Sequence, residues 1–455
     1  MNKFTIHIKD IQQIKELNFS IDLNTGGLHV IVGKNGVGKT ILFKGIQNLV
    51  TSNTFVKTSN SYIYKQSSSI KYSIIEETST LDYLFVYNKQ VKTVDFKGEV
   101  DSHILDNIYV ELPIPFGKRF SQFQRLGEHD REIRLNIISK KYEEPTALIS
   151  LLNYIYDTDR FNDLKVISIK KEKYYVRVLE DDYYIREDYL SSAEYFIISI
   201  YKIIQKKCKF IAIDEIDISL DAMAQVRFIE KLRELSREYN IKILFSTHSL
   251  ALIKTLSKEE LHYMELKEGI CSFENKSYNY IKSLLYGFQD YDKYILTEDK
   301  ILKDYMEYLL HNRNIFSKYI ILPIGTHDST VRLMEINVDK KVFEHQNNVC
   351  CVLDGDAIDQ YPDREDIYFL PFQSVEKELH RYFNNGDGFI DFNDMELRSN
   401  NLKPETNPKI LYKRIVEKDI KTQYEIFEFI TDKNLDKVNL FRETLCTFLE
   451  ERTND

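Results

Sequence analysis

Gly33, Gly36 and Gly38 are three of the chain's 15 glycines, and they fall within one eight-residue run, Gly33-Lys34-Asn35-Gly36-Val37-Gly38-Lys39-Thr40. Glycines this dense let successive backbone N–H groups turn inward and form a concave nest for an anion. Lys39 then supplies a cation that would reach terminal phosphates, and Thr40 offers a hydroxyl to Mg2+. Asn35, Gly36, Gly38, Lys39 and Thr40 are therefore the candidate nucleotide-binding residues. Further on, the apolar run Phe210-Ile211-Ala212-Ile213 ends at Asp214-Glu215. Asp214 would complete a Mg2+ shell, and Glu215 would polarise an attacking water. A second apolar run, Ile243-Leu244-Phe245, leads through Ser246-Thr247 to His248.

A second set of carboxylates lies in the other half. Glu298 closes the run Tyr294-Ile295-Leu296-Thr297, and Asp354-Gly355-Asp356 follows the five apolar residues Val349 to Leu353. Acidic groups at the carboxyl ends of parallel strands converge at one edge of a sheet, where α/β folds bind ligands. Gathered there, they repel one another unless hard cations such as Mg2+ or Mn2+ sit between them. Two such metals are the usual device for displacement at phosphorus.

The elements that must hold these residues alternate. Phe4–Ile8, Leu17–Ile21 and Leu28–Val32 read as strands, and a helix runs on from the glycine loop to Val50. Strand, glycine loop and helix are the context such a loop needs. Residues 51 to 190 carry strand-like stretches, Tyr83–Tyr87 and Tyr174–Val178 among them, without a sustained heptad pattern. From 191 the order is helix (Ser191–Lys206), strand (Lys209–Asp214), helix (Ala222–Tyr239), strand (Ile241–Ser246). A second alternation starts with strand Tyr294–Thr297, helix Ile301–His311 and strand Tyr319–Leu322. The reading is an α/β chain with a parallel sheet in each half and domains at 1–285 and 286–455.

Composition narrows the class. The chain is 43% hydrophobic and 29% charged with a net charge of -9, as in ordinary globular domains, which excludes binding nucleic acid through bulk positive charge. No apolar run approaches the ~20 residues of a membrane span, and the charged N-terminus lacks an apolar signal core. The odd number of cysteines, without a CxxC pair, points to reduced thiols and a cytoplasmic location.

Together the first set of motifs resembles the soluble ATP-binding-cassette (ABC) ATPases related to chromosome-maintenance and DNA-repair proteins. Leu190-Ser191-Ser192-Ala193-Glu194 looks like their signature motif, Ser219-Leu220-Asp221 like their D-loop, and His248 like their switch histidine. Gln122 and Gln124 are the candidates for their Q-loop glutamine. The resemblance implies that two heads sandwich ATP and Mg2+, with Ser192 (or Ser191) completing the partner's site. Ala193 stands where the family usually has glycine. A methyl there would crowd the γ-phosphate, which predicts slow turnover and ATP as a switch rather than a fuel.

In the second half, Glu298, Gly325 and Asp354-Gly355-Asp356 occur in the order of a Toprim domain, the metal-binding fold of topoisomerases, primases and some nucleases. Ser374-Val375-Glu376-Lys377 resembles the segment that supplies a further acidic ligand, Glu376. An ABC ATPase followed by Toprim resembles the OLD (overcoming lysogenization defect) family of ATP-dependent nucleases, several of which defend bacteria against phage. Asp299 departs from the family's glycine, and Leu302 stands where a second acidic residue is frequent, with Asp304 one turn away as a substitute. Lys377, Lys409 and Lys413 are candidates for the catalytic lysine. The resemblance implies an ATP-regulated endonuclease in which Glu215 and His248 serve the ATPase, and Glu298, Asp354 and Asp356 serve phosphodiester cleavage. Its partners would be DNA or structured RNA and a second copy of the chain in a homodimer or higher oligomer, with a second defence component left open and no membrane. Two alternatives stay open: a sensor or scaffold with a degenerate Toprim, and a DNA-repair ATPase.

Overall fold

A computed structural model describes the chain except residues 53, 60, 114–125, 171, 180–182, 218–219, 288–289, 344, 362–363, 391–406 and 451–455. It divides into two units, Met1–Leu285 and Tyr286–Asp455. Among the described residues no helix is long and apolar enough to cross a membrane.

The strands of the first unit are β1 (Lys3–Ile11), β2 (Ile14–Asp22), β3 (Gly27–Val32), β4 (Tyr64–Ile75), β5 (Thr80–Asn88), β6 (Thr93–Asp95), β7 (Ile108–Glu111), β8 (Leu164–Ile169), β9 (Glu172–Val178), β10 (Tyr184–Arg186), β11 (Phe210–Ile213), β12 (Lys242–Ser246), β13 (Leu261–Lys267) and β14 (Ile270–Glu274). They build an 11-stranded sheet in the order β6-β5-β4-β1-β2-β14-β13-β3-β12-β11-β7, with a separate three-stranded sheet β10-β9-β8. From β13 to β7 the neighbours run parallel. From β6 to β2 they run antiparallel, so a wholly parallel sheet is corrected here to a mixed one. The cause is local. Only Gln12 and Gln13 separate β1 from β2, and so short a connection joins antiparallel strands alone.

Alternate residues of the central strands enter opposite cores, as a sheet covered on both faces requires. Val30, Ile211, Ile213, Ile243 and Phe245 pack with the Ser192–Gln205 and Ala222–Glu238 helices. Ile31, Phe210, Ala212 and Leu244 face the other way, toward the Lys39–Val50 helix. That helix buries Ile41, Leu42, Phe43, Ile46 and Leu49. At about 1.5–3 kcal/mol per buried side chain, this anchors the glycine loop ahead of it.

The second unit carries β15 (Lys293–Thr297), β16 (Tyr319–Pro323), β17 (Val349–Leu353) and β18 (Ile367–Phe369) in the order β16-β15-β17-β18, all parallel. Ile295, Cys350 and Val352 face one core with the Lys300–Leu310 helix. Leu296, Cys351 and Leu353 face another with the His327–Lys340 helix. The turn after β17 presses against the segment after β18. The Gly355 N–H donates to the Phe372 carbonyl at 3.2 Å, and a Cβ on Gly355 would run into the Phe372 and Leu370 carbonyls. Gly355→Ala should therefore cost about 1–3 kcal/mol. Denaturant melts should show a lower midpoint with an unchanged m-value.

Candidate functional site

β3 ends at Val32 and the chain turns through the glycine loop into the helix at Lys39. Gly36 and Gly38 adopt φ of 81° and 105°, values that residues bearing a Cβ rarely take. Asn35 and Gly36 are exposed at the loop's tip. Gln13, from the β1–β2 turn, donates its amide to the Gly36 carbonyl at 2.7 Å and props the loop from outside. Lys39 is buried, and its ammonium donates to the carbonyls of Gly33 at 2.7 Å and Lys34 at 3.1 Å. Burial lowers its pKa, while Asp214, Glu215 and Asp217 pull it back up.

The carboxylates arise where β11 and β12 end side by side. Ile213 pairs with Phe245, so Asp214 lies opposite Ser246. The buried Ser246 hydroxyl donates to Asp214 Oδ1 at 2.6 Å and accepts the Glu215 N–H at 2.8 Å. Asp214 Oδ2 is buried and has no hydrogen-bond partner. Burial raises the Asp214 pKa, and the Ser246 and Thr40 hydroxyls and the Lys39 ammonium oppose that rise. A buried acceptor oxygen beside a threonine hydroxyl fits a hard cation, so Thr40 and Asp214 suit Mg2+ by their chemistry. Glu215 sits at φ 58°, a sparsely populated conformation for a residue with a side chain. Its pKa is raised by burial and by the neighbouring Asp214 and Asp217 carboxylates. The His248 N–H donates to Asp217 Oδ2 at 3.3 Å. Burial, then the Lys39 charge, lowers the His248 pKa, and the Asp217 and Asp214 carboxylates oppose that.

Ser191 caps the Ser192–Gln205 helix: its side chain accepts the Glu194 N–H, and Glu194 accepts the Ser191 N–H at 2.8 Å. Ser192 is exposed in the first turn. Ala193, the departure from the family's glycine, is buried and packs in the apolar core of its own unit. Gln122, Gln124 and Ser219 lie outside the described residues.

In the second unit, Glu298 and Asp354 follow the paired strands β15 and β17. Glu298 Oε1 accepts the Asp354 N–H at 3.0 Å, and its carbonyl accepts the Gly325 N–H at 2.8 Å. Glu376 is buried at the start of the Val375–Asn385 helix with Oε1 unpartnered. Asp356 pairs with Lys377. Burial, then Glu298, Glu376, Asp299 and Asp356, push the Asp354 pKa to about 8. Burial likewise raises Glu298 and Glu376. Buried like charges of this kind call for a cation by their chemistry. Among the described residues, however, no three His, Cys, Asp or Glu side chains are placed to hold a metal as they stand.

Asp299 does more than replace a glycine, since it caps the Lys300–Leu310 helix by accepting the Leu302 N–H at 2.9 Å. Leu302 is core. The Asp304 carboxylate accepts from Gln423 at 2.9 Å. Lys409 lies close enough to lower the Glu376 pKa, whereas Lys413 pairs with Glu417 on the surface. Sequence reasoning missed Ser246, Asp217 and Gln13. Ser246, ending an apolar run beside the acidic strand, carried the only readable signal.

The first unit has an α/β, P-loop fold, with the glycine loop joining β3 to the Lys39–Val50 helix, and is similar to ABC-type ATPases. No family model matches the chain. It is similar to "Probable ABC transporter ATP-binding protein p29" of Mesomycoplasma hyorhinis, at 22% identity over 273 residues, 58% of this chain and 83% of that protein. Among solved structures it is similar to an Smc head bound to the C-winged helix domain of ScpA, at 12% identity and TM-score 0.40, over 60% of this chain and 97% of that one. An ATP-binding cassette of an ABC transporter in its ADP conformation is 14% identical with TM-score 0.31, over 62% of this chain and 94% of that one.

Two outcomes follow from the geometry. Ser246→Ala removes the hydroxyl donor to the buried Asp214 and the acceptor of the Glu215 N–H, and should destabilise the protein by about 1–3 kcal/mol. ATP hydrolysis should fall while nucleotide binding, measured by a fluorescent analogue, is retained. Asp354 is raised in the native state, so its contribution to stability is full below about pH 4, the ordinary carboxylate range, and is lost as pH rises toward 8. Without divalent cations the melting temperature should fall between pH 5 and 8, and Asp354→Asn should flatten that fall.

Proposed function

We propose that the chain is an ATP-regulated, metal-dependent endonuclease of the OLD type, acting on DNA or structured RNA in cytoplasmic antiphage defence. The observation that carries this reading is the placement of Glu298, Asp354, Asp356 and Glu376 after the strands of an all-parallel sheet, where burial, and then the neighbouring carboxylates, raise the Asp354 pKa to about 8. A cluster so costly to ionise fits hard cations and is a functional-site signature. Divalent cations bound there, Mg2+ or Mn2+, would supply Lewis acidity and activate water for phosphodiester cleavage. Glu298, Asp354, Asp356 and Glu376 would hold them. Lys377, already on Asp356, would orient that carboxylate and offer a cation to the scissile phosphate.

In the first unit Lys39 and the glycine-loop amides would bind the ATP phosphates, and Thr40 and Asp214 would hold Mg2+. Glu215 would orient water, and His248 would serve as the switch histidine. The exposed Ser192 would complete the site of a second head. Tyr189 and Met223, 73% and 60% exposed and close in sequence to Ser192 and Asp221, would be available for such pairing. ATP then acts as the switch for cleavage.

The test is incubation of purified protein with supercoiled plasmid and with total RNA, in Mg2+ or Mn2+, with and without ATP. Cleavage should require the metal and respond to ATP. Asp354→Ala and Glu298→Ala should each reduce it at least about 100-fold, with ATP binding intact. No product under any condition would rule out the nuclease, and the sensor or scaffold reading would then stand.

A further inference from the structure

Outside the two sites, one connected network joins parts of the first unit that are distant in sequence. The Thr146–Tyr156 helix ends at Asp157, held at φ 53°, and the loop from Asp157 to Asp163 turns back toward β8. β9 fixes that loop. Arg177 grips Asp163 with two prongs, Nε to Oδ1 at 2.8 Å and Nη2 to Oδ2 at 2.7 Å, and donates to the Arg160 carbonyl at 3.0 Å. Arg160, presented in this way, lies 5.3 Å over the Tyr156 ring and 4.8 Å over the Phe161 ring. Its guanidinium donates to Glu194.

Glu194 is the carboxylate whose other oxygen holds the Ser191 N–H, so Arg160 grips the signature-like turn through it. At the loop's other end Asp157 pairs with Arg227 at 3.0 Å, on the helix that begins after Asp221. Tyr154 donates to Glu230 of that same helix at 2.8 Å. Between the two grips, the Tyr156 hydroxyl is buried without a hydrogen-bond partner. The Glu194 and Asp221 carboxylates both act on it. Exposure decides which tie matters more. The Asp157 side chain is 79% exposed, and water screens its pair. The Glu194 side chain is 9% exposed, so losing Arg160 would leave a buried charge uncompensated.

We propose that the 157–163 loop is a clamp that couples the signature-like turn to the helix after Asp221, with Arg160 as its positioning residue. Both edges are the ones a partner head's nucleotide would meet, so the clamp makes them engage or release it together. Arg160 touches no nucleotide in its own head. The inference rests on the reading that two heads share nucleotide.

The test uses the full chain as wild type, Arg160→Ala, Arg160→Lys and Asp157→Asn. Three quantities are read: binding of a fluorescent ATP analogue to dilute protein, ATP-dependent self-association by sedimentation, and steady-state ATPase kinetics. Arg160→Ala should bind the analogue within about twofold of wild type, with association and kcat down about 10–100-fold and KM little changed. Arg160→Lys should restore part of the loss, and Asp157→Asn should show a smaller loss in the same direction. Wild-type association and turnover in Arg160→Ala would overturn the clamp while leaving the shared site intact. If that variant does not fold, Asp157→Asn decides, and behaviour identical to wild type overturns the clamp. A wild-type chain that ignores ATP in sedimentation overturns the clamp and the shared-site reading together.

Discussion

A carboxylate removed from water must find hydrogen-bond donors, a cation or a proton, and both halves of this protein are arranged around that demand. In the first unit the demand is partly met. Ser246 gives one donor to Asp214, Lys39 supplies charge from across the loop, and Asp214 Oδ2 and Asp217 Oδ1 are left over. In the second it is met much less. Glu298 has a backbone donor and Asp356 has Lys377, while burial and the neighbouring carboxylates raise the Asp354 pKa to about 8. The first unit resembles a site one cation from complete. The second stores more repulsion than its own residues can neutralise.

Each site depends on strands that end together. Pairing of β11 with β12 sets Asp214 opposite Ser246, and pairing of β15 with β17 sets Glu298 beside the Asp354 amide. The helices then hold the strand ends in register from both faces, through alternate side chains in opposite cores. Three glycines meet needs that a side chain would not, through positive φ or close approach. Gly36 and Gly38 shape the phosphate loop, and Gly355 lets the acidic turn lie against two carbonyls.

Much of this was legible in the sequence, because buried parallel strands are apolar throughout and announce the acidic residue that stops them. Phe210–Ile213 and Val349–Leu353 are of this kind. The antiparallel half was less visible. The β1–β2 turn is built from Gln12 and Gln13, with Gln12 at φ 53°, and lacks the Asn-Gly or Asp-Gly pair that marks a hairpin. The roles of Ser246 and Gln13 rest on contacts 31 and 23 residues away in sequence, beyond the reach of local pattern. Ala193 stands out in the sequence as a departure within a motif, while its packing in the core of its own unit depends on contacts that local pattern does not show.

The central claim is that the carboxylates of the second unit are a divalent-cation site. Counting bound Mn2+ by electron paramagnetic resonance, on nucleotide-free full-length protein, tests it most directly. The account predicts saturable binding that disappears in Asp354→Asn combined with Glu376→Gln, in a protein that still folds and still binds ATP. Equal Mn2+ binding by the wild type and that double variant would contradict it.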